Sequence, residues 1–207
     1  MTGELPAEFN LLDWKRIVFG LYADVRGTQD ARDAWQRWRM ARDGLFASHP
    51  QSPLPASARG DFPGLPYFAY DPSCRVAAQV AAAPPEAHDI ATSGEQEGSY
   101  RFIRFGVARF ELTGQPLELE LYWLGGYGGG LFLPFQDATS GKTTYGAGRY
   151  LLDTVKGADL GMQGERLVLD FNFAYNPSCA YDPRWVCPLA PPQNRLDLAI
   201  DAGERYG

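Results

Sequence analysis

The sequence predicts a mainly β, α+β fold: an antiparallel β-barrel or strongly bent sandwich carrying two N-terminal helices. Two observations predict it. Apolar residues recur at three- and four-residue spacing up to about residue 50, and after residue 66 the period changes to two. A third sets the strand direction, because the gaps between alternating segments are too short for crossover helices, which leaves antiparallel pairing.

Asn10 is expected to cap a first helix over 11–26, with Leu12, Ile17, Phe19 and Leu21 among its apolar positions. Thr28 is expected to cap a second, with Asp30 favourable at its positive end. Its stripe is Ala31, Trp35, Trp38, Ala41 or Arg42, and Leu45, which reads as a buried face. Pro50 ends the helix, and the Pro-, Ser- and Gly-rich stretch to Pro66 is loop.

Strands are expected over about 75–81, 99–105, 107–113, 131–136 and 147–152. Three more alternate clearly. Leu117, Leu119, Leu121 and Trp123 share one face of QPLELELYWL. Leu167, Leu169, Phe171 and Phe173 share one face of RLVLDFNF. Leu196, Leu198 and Ile200 share one face of NRLDLAI. Eight or more strands favour a barrel or bent sandwich, with the helices over one end or edge. The chain is divided into a helical segment, 1–50, and an antiparallel β segment, 51–207, within one structural domain; 207 residues bury a full core without disulfides or metal.

Composition excludes several functions. A hydrophobic content of 45% and a charged content of 21% are those of a globular chain. The formal net charge of -6 and only three lysines (Lys15, Lys142, Lys156) argue against nucleic acid and against a polybasic membrane patch. No apolar run is long enough to span a membrane, and the first 25 residues lack the uninterrupted apolar region of a signal peptide. A cytoplasmic protein is expected, with free thiols at Cys74, Cys179 and Cys187. A structural zinc site is not, because four closely spaced ligands are missing; His49 and His88 are the only histidines.

Two local patterns resemble functional motifs. FAYDPSC (68–74) and FAYNPSC (173–179) differ only at Asp71 and Asn176, yet their flanks are unrelated. A duplication would carry matching flanks, so two similar Asx-Pro turns are the simpler reading. QDATSGKTT (136–144) contains GKT, but Gln136 replaces the first glycine of a phosphate-binding loop and no helix follows. It reads as a long hairpin turn.

Several segments resemble domain-of-unknown-function family 1684, a bacterial and archaeal family. They are LFLPFQDATSGKTTYGAGRYL (131–151), LDFNFAYNPSCAY (169–181) and CPLAPPQNRLDLAIDAGER (187–205), with SPL (52–54) and GLPYFAYDP (64–72) matching less specifically. Gln193 departs from the family form PPENRL. The resemblance implies no activity, cofactor or catalytic residue. It does mark an unusually polar set: Asp137, Thr139, Ser140, Thr143, Tyr145, Arg149, Asp170, Asn172, Tyr175, Asn176, Cys179 and Asn194.

The functional expectation is a barrel that binds a small anionic metabolite through Tyr145, Arg149, Asp170, Asn172, Tyr175 and Asn176. Arg149 would fork onto a carboxylate or phosphate, after YGAG lets a ligand or another backbone approach. Asp170 and Asn172, two apart on a strand, would share a face. The alternatives are an enzyme using Asp170 as base or Cys179 as nucleophile within the Asp170, Asn172, Tyr175 and Cys179 cluster, a flavin-binding (FMN) split barrel, and a structural or interaction protein. No cofactor or metal is expected in the leading reading.

Overall fold

The computed structural model describes residues 6–94 and 99–206. Helix α1 spans Ala7–Gly27 and α2 spans Ala31–Ser48. The first starts after Pro6 rather than at Asn10, and Thr28 closes it by donating from Oγ1 to the Asp24 carbonyl at 2.8 Å. Asp30 is the cap of α2, accepting from the Arg32 and Asp33 amides at 2.9 and 3.1 Å. A carboxylate answers these two donors better than a threonine hydroxyl two residues earlier, because it also meets the helix dipole.

Among the described residues seven strands form one antiparallel sheet. They are β1 (Arg75–Ala91), β2 (Ser99–Leu112), β3 (Gln115–Leu124), β4 (Gly130–Phe135), β5 (Arg149–Asp153), β6 (Met162–Gln163) and β7 (Arg166–Asp170). Their order is β5-β4-β3-β2-β1-β7-β6, so the sheet is open and not a closed barrel. Strand β1 runs far past residue 81 because Pro84 and Pro85 sit in a register shift between Ala82 and Glu86. Prolines are tolerated there because the ladder is already interrupted. Strand β2 is one element rather than two. Thr113 and Gly114 join it to β3 in a two-residue turn with φ of 52° and 77°, which matches the twist of the flanking strands.

Three expectations of face need correction. Leu119 and Leu121 are buried and Leu117 partly so, but Trp123 is 47% exposed while Tyr122 is buried. The register shift between Arg104 and Gly106 inserts a residue in β2 only, so β3 keeps its alternation. Its opposite face is covered at Tyr122, which joins Phe102, Phe132 and Tyr150 in a second cluster, while the face of Leu121 is left open at Trp123. Strand β7 is buried on both faces, so Val168 and Asp170 are interior as well as Leu167 and Leu169. NRLDLAI is not a strand. It holds an isolated parallel bridge from Gln136 to Arg195, with Leu196 and Ile200 still turned into the core.

The main core joins both parts of the chain: Tyr22, Trp35 and Trp38 of the helices pack with Leu121, Leu151 and Leu169 of the sheet. Trp38 meets Phe173 edge-on at 5.0 Å. The GKT segment is the connection between β4 and β5, in which the Thr139 amide donates to Asp137 Oδ1 at 2.9 Å.

Candidate functional site

Arg149 is interior, only 1% exposed. Its guanidinium donates to Asp137 Oδ2 at 2.7 Å and to the carbonyls of Ile200 (3.2 Å), Glu204 (3.3 Å) and Ala202. Both partners of the ion pair are essentially unexposed. The small residues before it admit backbone, since a Cβ on Gly148 would meet the Phe135 carbonyl at 2.5 Å. Arg149 therefore ties the β4–β5 turn to the C-terminal segment and has no free fork for a ligand.

Asp170 and Asn172 do not share a strand face, because β7 ends at Asp170 and Asn172 lies inside the 3-10 turn Phe171–Phe173. Asp170 Oδ1 accepts from the Asn172 amide and from Asn172 Nδ2 at 3.1 and 2.8 Å. Asn172 in turn accepts from the Asp71 amide at 2.9 Å and donates to its carbonyl at 2.7 Å. Burial raises the Asp170 carboxyl above its usual value, and the Asn172 and Arg75 contacts oppose it. The pair fastens the 71–75 turn to the end of β7, and both side chains are fully buried.

Tyr175 and Asn176 lead elsewhere, to a buried polar centre built around Glu204. Gly203 places it: with φ of 78° it lets the backbone pass so close that a Cβ would meet the Phe171 and Ala174 carbonyls at 2.6 and 2.7 Å. Glu204 then accepts from Arg42 Nη2 at 2.9 Å, from the Asn176 amide at 3.1 Å and from the Tyr181 hydroxyl. Arg42 also donates from Nε to the Tyr67 hydroxyl at 3.0 Å and is flanked by the rings of Trp38, Phe46 and Tyr175. Burial raises the Glu204 carboxyl, with Arg42, Tyr181 and the Asn176 amide opposing.

Two cavities flank this centre. An inner one of about 80 Å³ is lined by Tyr22, Arg42, Tyr150, Lys156, Tyr175 and Asn176, among others. An outer groove of about 560 Å³ is walled by Phe62, Leu65, Pro66, Asn176, Tyr181 and Arg205, with Tyr206 at its rim. Asn176 belongs to both. Its Nδ2 donates to the Arg205 carbonyl at 2.9 Å, which fixes the amide orientation, and its Oδ1 has no partner although the residue is 3% exposed. Among the described residues Arg205 makes no ion pair; its guanidinium lies over the Phe68 ring at 5.4 Å.

Tyr145 and Cys179 form a third group. The Tyr145 hydroxyl lies 3.8 Å from Cys179 Sγ, and its ring packs on Tyr206 at 5.2 Å. Cys179 is half-buried and Cys187 is buried; both are free thiols. The Cys187 thiol faces Cys179 and, with the Ser93 and Tyr145 hydroxyls, lowers it to about 6 against its own desolvation. Cys187 is correspondingly raised by Cys179 and by burial. His88 is not beside them; it lies on β1 near Glu86 and Tyr122. Among the described residues no group of three or more His, Cys, Asp or Glu side chains is arranged to hold a metal, and no helix is long and apolar enough to cross a membrane.

Arg42, Tyr181, Glu204 and Arg205 are the site residues that the sequence reading missed. One signal for Arg42 was available, since it competes with Ala41 for a buried position in the helix stripe. Glu204 and Arg205 close the resembling segment 187–205, but nothing in the sequence pairs Glu204 with a residue 162 positions away.

The family model described as "Protein of unknown function (DUF1684)" matches residues 60–205. The chain is similar to an uncharacterized protein of Haloarcula marismortui solved by solution NMR. The two are 36% identical with a TM-score of 0.62, over 87% of this chain and 97% of that one. No curated protein matches the chain.

Proposed function

Taking as premise that the chain belongs to the DUF1684 family, whose description assigns no activity, we propose that it binds a small anionic molecule in the groove between the 62–66 loop and the C-terminal segment. The observation that carries this reading is Asn176: a buried amide on the groove wall, its orientation fixed, with an acceptor oxygen left unanswered. An unpartnered buried acceptor costs stability and is retained where something else satisfies it.

The wall describes the ligand. Arg205 offers a guanidinium that pairs with no carboxylate among the described residues, which suits a carboxylate or phosphate. Asn176 Oδ1 requires a donor, such as a hydroxyl or an N–H, on the same molecule. Phe62, Pro63, Leu65 and Pro66 supply an apolar side for the remainder. The volume is that of a metabolite-sized site. Segments 64–72, 169–181 and 187–205, three of those that carry the family resemblance, all contribute wall residues.

An NMR titration with phenyllactate, which has a carboxylate, a hydroxyl and a ring, tests the reading. Amide signals of Leu65, Asn176, Tyr181 and Arg205 should shift together. Phenylpropionate, which lacks the hydroxyl, should bind more weakly, and Arg205→Ala should weaken binding roughly ten- to a hundredfold through loss of a charge-assisted bond. Absence of shifts in the groove, or binding indifferent to Arg205→Ala, refutes it.

A further inference from the structure

Neither Cys179 nor Cys187 lines the groove, and the setting of the two thiols has its own chemistry. Cys187 is held on the backbone: its carbonyl accepts from the Ser93 amide at 2.9 Å, and its amide donates to Ser93 Oγ at 3.0 Å. The next residues continue the tie, with Thr92 bridged to Pro188 and the Leu189 amide donating to the Ala91 carbonyl at 2.9 Å. Cys179 sits in the short turn Ser178–Ala180, fixed by the Ala180 amide donating to the Pro177 carbonyl. One thiol is therefore half-open to solvent and the other is closed in directly behind it. The groups around Cys179 Sγ can donate to it: the Cys187 thiol and the Tyr145 hydroxyl, which lies 3.8 Å away. Donors at that position favour a thiolate over a thiol.

We propose that Cys179 is a reactive thiol that hydroperoxides oxidise, and that Cys187 resolves the product into a Cys179–Cys187 disulfide. The Cys179 thiolate attacks the terminal peroxide oxygen, the O–O bond breaks, and an alcohol (water, for hydrogen peroxide) leaves with the proton released by the thiol. Cys187 sulfur then attacks the sulfenic sulfur; the S–S bond forms, the S–O bond breaks, and hydroxide leaves with the Cys187 proton as water. Two thiols lose two electrons and one peroxide gains them. Ser93 fits the second step by holding the Cys187 backbone, since its amide donates to the Cys187 carbonyl and its Oγ accepts from the Cys187 amide while donating to the Trp185 carbonyl.

Cys74 is an internal control. It lies at the start of β1 with its thiol 3.8 Å from Asp71 Oδ2, and burial and that carboxylate push it up to about 11. At neutral pH Cys179 therefore carries far more thiolate than Cys74, and the lower nucleophilicity of the more acidic thiol offsets part of that advantage, leaving roughly 10² in rate.

The full-length folded protein is treated with one equivalent of hydrogen peroxide, alkylated and digested for mass spectrometry. The expected result is a linked Cys179–Cys187 peptide with Cys74 alkylated only after unfolding. Cys187→Ser should instead stop at a sulfenic acid on Cys179 that dimedone captures, and Cys179→Ser should give neither product. Iodoacetamide on the untreated wild type gives a check independent of any variant's folding: Cys179 should react roughly 10²-fold faster than Cys74. Equal alkylation rates, or oxidation without the linked peptide, overturns the proposal.

Discussion

Replacing Arg149 with methionine separates recognition from architecture at the position where the sequence most strongly suggests a ligand contact. Methionine keeps much of the side-chain length and removes the charge. Asp137 would then be buried with its Oδ2 unanswered, and the carbonyls of Ile200, Ala202 and Glu204 would lose their shared donor. Breaking one side of a buried ion pair costs roughly 3–5 kcal/mol, against a total stability on the order of 5–15 kcal/mol for a domain. At about 2–4 °C per kcal/mol for a chain of this size, the melting temperature should fall by roughly 6–20 °C. Arg149→Met with Asp137→Leu should recover only part of the loss, since Thr139 depends on the Asp137 carboxylate for its amide and hydroxyl and the three carbonyls remain unanswered. Differential scanning calorimetry of the wild type and both variants measures this. A single variant that melts within a degree or two of wild type would mean that Arg149 is not the tie described here, and the recognition reading of that residue would return.

Three further outcomes follow from other contacts. Leu169→Ala removes a fully buried side chain from the middle of β7 and should cost about 2–5 kcal/mol by urea unfolding; an unchanged midpoint would contradict its burial. Asn172→Ala removes both links to Asp71 and one to Asp170, and should cost more than about 2 kcal/mol while hydrogen exchange of the Asp71 amide accelerates; protection like that of wild type would count against the link. Burial holds the Glu204 carboxyl above its unfolded value, so its stabilising contribution is complete below about pH 4.3 and is lost as pH rises through the folded value. The stability difference between wild type and Glu204→Gln should therefore grow in favour of wild type as pH falls through that window, and a difference that is flat or shrinks would exclude the assignment.

How much of this was legible in the sequence depends on range. Period-two alternation gave most strands, the antiparallel direction and the core leucines, because a strand's faces follow from its own residues. It misjudged the places where a partner decides. Pro84 and Pro85 look like a strand end until β2 supplies a register shift to hold them, and Trp123 looks interior although the main core ends at Leu121 and a second cluster covers the other face at Tyr122. Val168 and Asp170 look outward-facing because one-sided burial is assumed; β7 is covered on both faces. The polar residues divide in the same way. Arg149, Asp170 and Asn172 are polar because loops and turns must be fastened inside the protein, where an unanswered carbonyl or amide is costly. Their residue types cannot distinguish that need from recognition. Arg42 and Glu204 meet only through the packing of a helix against the far end of the chain.

The near repeat of FAYDPSC and FAYNPSC shows why the one differing residue matters. Both copies turn after Asx-Pro, and their aromatic ends flank the same C-terminal residues. The Phe68 amide donates to the Gly203 carbonyl on one side, and the Glu204 amide donates to the Ala174 carbonyl on the other. Beyond that the surroundings diverge. Asp71 is exposed, and its carboxylate caps its own turn by accepting from the Ser73 amide and hydroxyl at 2.8 and 2.7 Å. Those contacts, with Ser73 first, hold it below the usual carboxylate value. At residue 176 the same carboxylate would be buried beside Glu204 and would face the Arg205 carbonyl with no proton to offer. The amide avoids both penalties, since its Nδ2 donates to that carbonyl and it carries no charge. Its buried oxygen is then left without a partner among the described residues, on a side chain that borders the groove. The pair of turns is thus a shared local solution rather than a duplicated site, and the exchange of aspartate for asparagine turns one copy from a self-contained cap into a wall residue with an acceptor to spare.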